Sequence, residues 1–250
     1  MAGHSKWANI KRRKGAQDAK RAKVFTKLIK EITVASKEGG SDPDANPRLR
    51  LAIQNAKGAN MPKDTIERAI HKGTDTDGAA YQDVAYEGFA PHGVAVFIEC
   101  TTDNLNRTVA SVRSILTKHE GSLGKNGSVE FLFERKGIFS FKRPESIKDE
   151  DTFMLELIDG GAEEVEFDHE NNYIQVSSAM EDFGSLQNKL EALGIETESA
   201  ELQRIPTTTV SLDDEQFVSV MQLIEALEDD DDVARVYHNL EVNEEQEELI

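Results

Sequence analysis

The chain has 250 residues, 38% hydrophobic and 30% charged, a globular composition on the polar side. Its longest apolar run, about Val94–Ile98, falls far short of the roughly 20 residues a spanning helix needs, its polar, basic N-terminus lacks the apolar core of a signal peptide, and the single Cys100 excludes an internal disulfide and a cysteine-cluster metal site. The net charge of −18 would argue against a nucleic-acid partner if it were uniform, but residues 1–75 carry 17 Lys and Arg against 8 Asp and Glu, a balance of +9, while residues 76–250 carry 12 against 39, a balance of −27.

In chain order, residues 1–14 read as an irregular basic arm, and a helix is predicted from about Ala16 to Lys37. Phe25, Leu28, Ile29, Ile32 and Ala35 form one apolar stripe, which puts Lys20, Lys23, Lys27 and Lys30 on the opposite face. Gly39-Gly40 ends this helix and Ser41–Ala45 is a turn. Asn46-Pro47 has the form of an N-cap followed by proline at the first helical position, with Leu49, Ala52, Ile53 and Ala56 facing inward up to Gly58. Pro62 opens a third helix with Ile66, Ala69 and Ile70 inward, and Gly73 closes it. Thr74–Ala80 is a linker of small and acidic residues.

From Tyr81 the pattern changes to strands alternating with helices. Asp83–Gly88 and Val94–Cys100 are predicted strands, Asn106–His119 a helix, Gly121–Gly127 a glycine-rich loop, and Val129–Phe133 a strand. Ile138–Phe141, Asp149–Asp159, Glu163–Phe167, Tyr173–Ser177, Met180–Leu193 and Glu198–Ile205 then follow a β-α-β-β-α-β order, the ferredoxin-like split pattern. After Pro206, a helix (Asp213–Leu227) and a strand (Val233–Tyr237) complete the earlier β/α unit. The expected fold is α+β: an N-terminal three-helix domain, then two ferredoxin-like α/β domains, the middle one discontinuous. The expected boundaries are 1–78, 79–135 plus 206–240, and 136–205, with an acidic tail over 241–250 that frays.

The densest basic cluster is Lys11-Arg12-Arg13-Lys14, with Lys6 nearby. Lysine meets phosphate as a point charge and arginine with paired hydrogen bonds, so this cluster suits a nucleic-acid backbone. Trp7 inside the arm either stacks on a base or packs back onto the helices. Lys136–Phe141 has some of the aromatics of an RNA-recognition strand, but at the wrong spacing, and reads as core. Gly121–Gly127 contains Gly124-Lys125, yet Asn126 follows and His119 stands where a phosphate-binding loop would begin, so it reads as an inter-element loop. Six scattered histidines have no zinc spacing. Asp229–Asp232, after a helix C-terminus, reads as a solvated turn that costs a little stability there.

Longer strings add a resemblance. Ala2-Gly3-His4-Ser5-Lys6-Trp7, Gly39–Arg50, Asn60-Met61-Pro62, Tyr86-Glu87-Gly88, Thr102–Thr108, Gly127-Ser128-Val129 and Val236-Tyr237-His238-Asn239 together resemble the YebC family, from residue 2 to about 240. That family includes the mitochondrial translational activator of cytochrome oxidase subunit one. The resemblance implies a helical first domain and two α/β domains, the second interrupted by the third, with no catalysis and no cofactor. Ser122 departs from it, where the family often reads Gly-Gly before Leu-Gly. Because the match starts at residue 2, the resemblance implies a chain like the bacterial cytoplasmic members, with no presequence expected.

The expectation is therefore a cytoplasmic, non-enzymatic nucleic-acid-binding regulator of gene expression without cofactor, metal or membrane contact. A DNA-binding transcriptional regulator comes first because the family that the chain resembles carries that label, some of its members being described instead as ribosome-associated. The alternatives are a ribosome-associated translation factor that binds ribosomal RNA, and a protein–protein adaptor. The candidate contacts are Lys6, Trp7, Lys11, Arg12, Arg13, Lys14, Lys20, Lys23, Lys27, Lys30, Arg48 and Arg50. Oligomeric state is not legible in the sequence.

Overall fold

The structure is a computed structural model that describes residues 21–75, 81–145, 147–247 and 249. It opens with three helices: α1 (Arg21–Gly39), α2 (Pro47–Gly58) and α3 (Lys63–Thr74). Their apolar faces meet in a small core of Ile32, Ala35, Leu49, Ala52, Ala56, Met61, Ile66 and Ala69. Asn46 is the N-cap that the sequence predicts: its side chain accepts from Leu49 N at 3.1 Å. The same amide donates to the carbonyls of Ala35 at 2.7 Å and Gly40 at 2.8 Å, so one side chain closes the end of α1 and the start of α2. The hydroxyls of Thr33 and Ser36 on α1 donate to the carbonyls of Ala69 (3.2 Å) and Ile70 (2.9 Å) on α3.

Two four-stranded antiparallel sheets follow, and the protein is α+β. The first sheet contains β1 (Gln82–Phe89), β2 (Ala95–Thr102), β3 (Ser122–Leu123) and β8 (Val233–His238), in the order β3-β1-β2-β8. Helices α4 (Leu105–Lys118) and α7 (Asp214–Glu228) pack on it around Val112, Leu116, Phe217, Val220, Leu223 and Ile224. The second sheet contains β4 (Phe133–Lys142), β5 (Ala162–Asp168), β6 (Tyr173–Ala179) and β7 (Ser199–Pro206), in the order β5-β6-β4-β7, with α5 (Glu150–Asp159) and α6 (Phe183–Ala192). This second order is that of the ferredoxin-like split pattern. The first sheet has the same spatial plan with its strands entered differently. There β2-α4-β3 and α7-β8 take the places of β4-α5-β5 and α6-β7, while β1, the counterpart of β6, comes first in the chain. The second sheet lies between α4 and α7 in sequence, so the first sheet is built from two separate stretches.

Three local expectations need correction. Val129–Phe133 is not a strand: Glu130–Leu132 forms a single 3-10 turn, and the edge strand is Ser122–Leu123 inside the glycine-rich loop. The reason is Glu87, whose buried carboxylate accepts from the backbone N–H groups of Gly127 (2.6 Å), Val129 (2.7 Å) and Glu130 (2.9 Å) and so takes the donors a ladder would use. Nor is the tail after Glu241 wholly frayed. Glu244–Glu247 makes a helical turn (α8), and Gln246 is buried, donating to Leu212 O at 3.0 Å. The third, Asp229–Asp232, belongs to the site described next.

Candidate nucleic-acid interface

Lys6, Trp7, Lys11, Arg12, Arg13, Lys14 and Lys20 lie outside the described residues, as does most of the Thr74–Ala80 linker. The other candidates lie on α1 and α2, and the structure gives most of them partners within the chain.

Lys23, Lys27 and Lys30 do share one face of α1, but that face does not look into open solvent. It lies against the C-terminal end of α7 and the acidic run after it. Lys23 Nζ is 3.1 Å from Asp229 Oδ1 and 3.2 Å from the Asp229 carbonyl. Lys27 Nζ donates to Glu228 O at 2.9 Å. Lys30, only 9% exposed, donates to Asp231 O at 2.6 Å, to Asp232 Oδ1 at 3.0 Å and to Thr101 O at 3.3 Å. The carbonyls of Glu228 and Asp229 stand at the negative end of α7, where a cation is stabilised. Burial outweighs the neighbouring charges at Lys27 and pushes its ammonium below the ordinary lysine value.

Asp232 is the centre of this contact and overturns the solvated-turn reading. It is 6% exposed. Besides Lys30 it accepts from Arg107 Nε at 3.0 Å, from a second guanidinium nitrogen at 2.7 Å and from Thr108 Oγ1 at 2.9 Å. Burial pushes its carboxyl upward, but the hydrogen bonds from Arg107, Lys30 and Thr108 more than offset this and leave it below the usual range. The Thr102–Thr108 string is the scaffold of this hub. Asn104 caps α4 by accepting from Arg107 N at 3.1 Å, and Thr108 Oγ1 lies 2.7 Å from Thr102 Oγ1. In the sequence this helix is expected from Asn106, two residues after the cap, and only the Thr102–Thr108 string of the family resemblance marks the place. The distant partner Asp232 leaves no local mark.

Arg48 bridges Glu38 on α1 and Asp83 on β1, with Asp83 Oδ2 at 2.6 Å. Arg50 is exposed. Sequence reading missed Arg235 on β8, which lies 3.2 Å from Glu201 on β7 and 3.8 Å from Glu31 on α1 and so touches the helical bundle and both sheets. Glu201 raises the Arg235 guanidinium well above its ordinary value, ahead of an opposing burial effect. Glu31, Arg48, Asp83, Glu201 and Arg235 line a cleft of about 2110 Å³ bounded by the bundle and the two sheets.

α2 is also covered. Asn55 is buried and pairs with the backbone of Ala200 on β7, an edge strand of the second sheet: Nδ2 to Ala200 O at 3.1 Å and Ala200 N to Oδ1 at 3.0 Å. Gly58 ends α2 so close to this strand that a Cβ there would lie 2.0 Å from Glu198 O. Leu51 packs into the core of the second sheet.

The remaining motifs resolve as structure. Phe139 and Phe141 are fully buried on β4, an inner strand. Glu87 occupies the backbone donors of the glycine-rich loop that a phosphate would need. Among the described residues no cluster of three or more His, Cys, Asp or Glu is placed to hold a metal, and no helix is long and apolar enough to cross a membrane.

Comparison with known proteins places this geometry in context. The family described as "TACO1/YebC protein N-terminal domain" matches residues 5–76, and "TACO1/YebC second and third domain" matches residues 81–240. A "Probable transcriptional regulatory protein" of Amoebophilus asiaticus is 61% identical over 98% of this chain and 100% of its own length. A "Probable transcriptional regulatory protein YebC" of Escherichia coli is 49% identical, covering 98% of each chain. The crystal structure of a conserved hypothetical protein from Aquifex aeolicus superposes with a TM-score of 0.80 at 44% identity, covering 91% of this chain and 93% of that one.

Proposed function

Because this chain belongs to the TACO1/YebC family, we propose that it is a cytoplasmic, non-enzymatic regulator of gene expression that binds nucleic acid through phosphate contacts made mainly by its N-terminal arm. The observation that carries the reading is how positive charge is distributed along the chain. Lys23, Lys27, Lys30 and Arg48 are bonded to acidic groups or carbonyls of the same chain. Residues 1–20 hold Lys6, Lys11, Arg12, Arg13, Lys14 and Lys20 against Asp18 alone. A basic arm beside a strongly acidic body is drawn to phosphates, while the body repels non-specific contact. The names of the relatives put transcription first.

A second reading, an RNA–protein surface such as the ribosome, is favoured by one observation. The Lys23–Lys27–Lys30 face of α1 meets the acidic run and the Asn55 face of α2 meets β7, so neither of these faces is free to enter a major groove. Phosphate contact without base reading suits RNA as well as DNA.

Fluorescence anisotropy with a DNA duplex and a structured RNA over a salt series tests the proposal. The slope of log affinity against log salt is about −0.9 for each duplex phosphate that the protein neutralises, so alanine at Lys11–Lys14 is expected to flatten it by about 3 to 4. An unchanged slope overturns the assignment. Sedimentation of DNase-treated lysate then separates the readings: migration with ribosomes at low salt, abolished in the variant, selects translation.

A further inference from the structure

Two seams join the helical bundle to the rest of the protein, and they differ in kind. Among the described residues, the direct contacts with the second sheet are neutral and partly apolar: Asn55 on the Ala200 backbone, Gln54 on Thr197, Gly58 against Glu198 O, and Leu51 in the sheet's core, with Glu201 reaching the bundle's Glu31 through Arg235. Among the described residues, the seam with the first sheet and α7 is charged or polar. It comprises Lys23–Asp229, Lys27–Glu228 O, Lys30–Asp232, Arg48–Asp83 and Arg235–Glu31, with Lys30 and Lys72 over the ring of Tyr81. Among the described residues, none of the bundle's hydrophobic side chains packs against the core between the first sheet and its helices, whereas Leu51 packs against that of the second sheet.

The exposed Lys23–Asp229 pair weakens with salt, the buried Lys30–Asp232 pair is screened little, and both can be competed by another polyanion in a way that neutral hydrogen bonds and apolar burial cannot. The lysine stripe spans about 10 Å along α1 at 1.5 Å per residue, long enough to lie beside more than one phosphate of a strand. Facing it, the carbonyls of Glu228, Asp229 and Asp231 and the carboxylates of Asp229 and Asp232 present negative oxygens at short range, as a phosphate backbone does.

We propose that segment 228–232 is an internal stand-in for a nucleic-acid backbone: it occupies the Lys23–Lys27–Lys30 stripe in the free protein, and a bound phosphate backbone displaces it, opening the charged seam while the bundle stays fixed on the second sheet. This deepens the nucleic-acid reading above and rests on it. The arm makes first contact, and the stripe adds its own only after the seam parts.

Spin labels read the two seams separately in the full chain. Ala22→Cys with Gln222→Cys spans the charged seam, and Lys57→Cys with Glu191→Cys spans the neutral one; all four native residues are exposed. Native Cys100 is buried with its thiol pushed up to about 12, so it competes little for label. On adding a DNA duplex of about 20 base pairs or an RNA hairpin of similar length, the first distance is expected to lengthen and the second to hold. Anisotropy on the same samples reports binding. If the nucleic acid binds and the first distance stays put, the displacement proposal falls and the nucleic-acid reading survives. If nothing binds, that reading falls and takes the proposal with it. In the Asp229→Asn, Asp231→Asn double variant, which leaves Asp232 in place, affinity is expected to rise about tenfold. Unchanged or weaker affinity overturns the proposal.

Discussion

The side chain of Asn55 meets the backbone of Ala200 as a neighbouring strand would, donating to its carbonyl at 3.1 Å and accepting from its N–H at 3.0 Å. β7 is an edge strand, and an edge leaves backbone groups unpaired. One amide on a helix satisfies both groups at this point and fixes the bundle to the second sheet. Asn55→Ala leaves a buried N–H and a buried carbonyl without these partners, at about 1–3 kcal/mol each. The denaturation midpoint is expected to fall accordingly. Asn55→Asp keeps the acceptor but sets a carboxylate oxygen against the Ala200 carbonyl in a buried site, so it should lose at least as much as Asn55→Ala.

Gly58 gives the same junction a steric requirement. A methyl at this position would sit 2.0 Å from Glu198 O, which is backbone and cannot swing away. Gly58→Ala is expected to push α2 off β7, with a loss of about 2 kcal/mol or more that helix propensity does not recover. Faster hydrogen exchange at Ala200 N would report the separation. Unchanged exchange and stability would contradict the close approach.

Asp232 joins Lys30, Arg107 and Thr108. Removing one member of a buried ion pair typically costs about 3–5 kcal/mol, because the other charge stays behind. Asp232→Ala should therefore destabilise strongly. Adding Lys30→Met should recover part of the loss, a coupling that a double-mutant cycle measures.

The carboxyls of Asp232 and Glu87 both lie below their ordinary values. At Glu87 burial pushes upward, and the N–H groups of Val129, Gly127 and Glu130, helped by Arg204, outweigh it. A carboxylate with a depressed folded pKa contributes its full stabilisation above its unfolded pKa, about 3.9 for Asp and 4.3 for Glu, and loses it as pH falls through the folded value. Stability should thus be flat in this contribution near neutrality and fall below about pH 4 to 5. In Glu87→Gln the acid limb of the curve should be shallower than in the parent, from a lower starting stability. An acid limb of unchanged slope would show that Glu87 contributes nothing to it.

Local signals in the sequence determined much of this protein. The 3.6-residue stripes placed α1 to α3, the Asn46-Pro47 pair marked the start of α2, and the order of strand and helix signals over Ile138–Ile205 specified the ferredoxin-like sheet. Each depends on residues close in the chain, whose spacing fixes which side shares a face. The lysines at positions 23, 27 and 30 show where that logic stops. Periodicity puts them on one face, but a helical wheel does not say whether the face meets water, phosphate or another part of the chain. Their acidic partners lie about 200 residues away, at the end of α7. Only tertiary packing brought that helix end against α1 and turned Asp232 from one acid in a run into the buried partner of Lys30 and Arg107, because charge is long-ranged in space and carries no record of its partner along the chain.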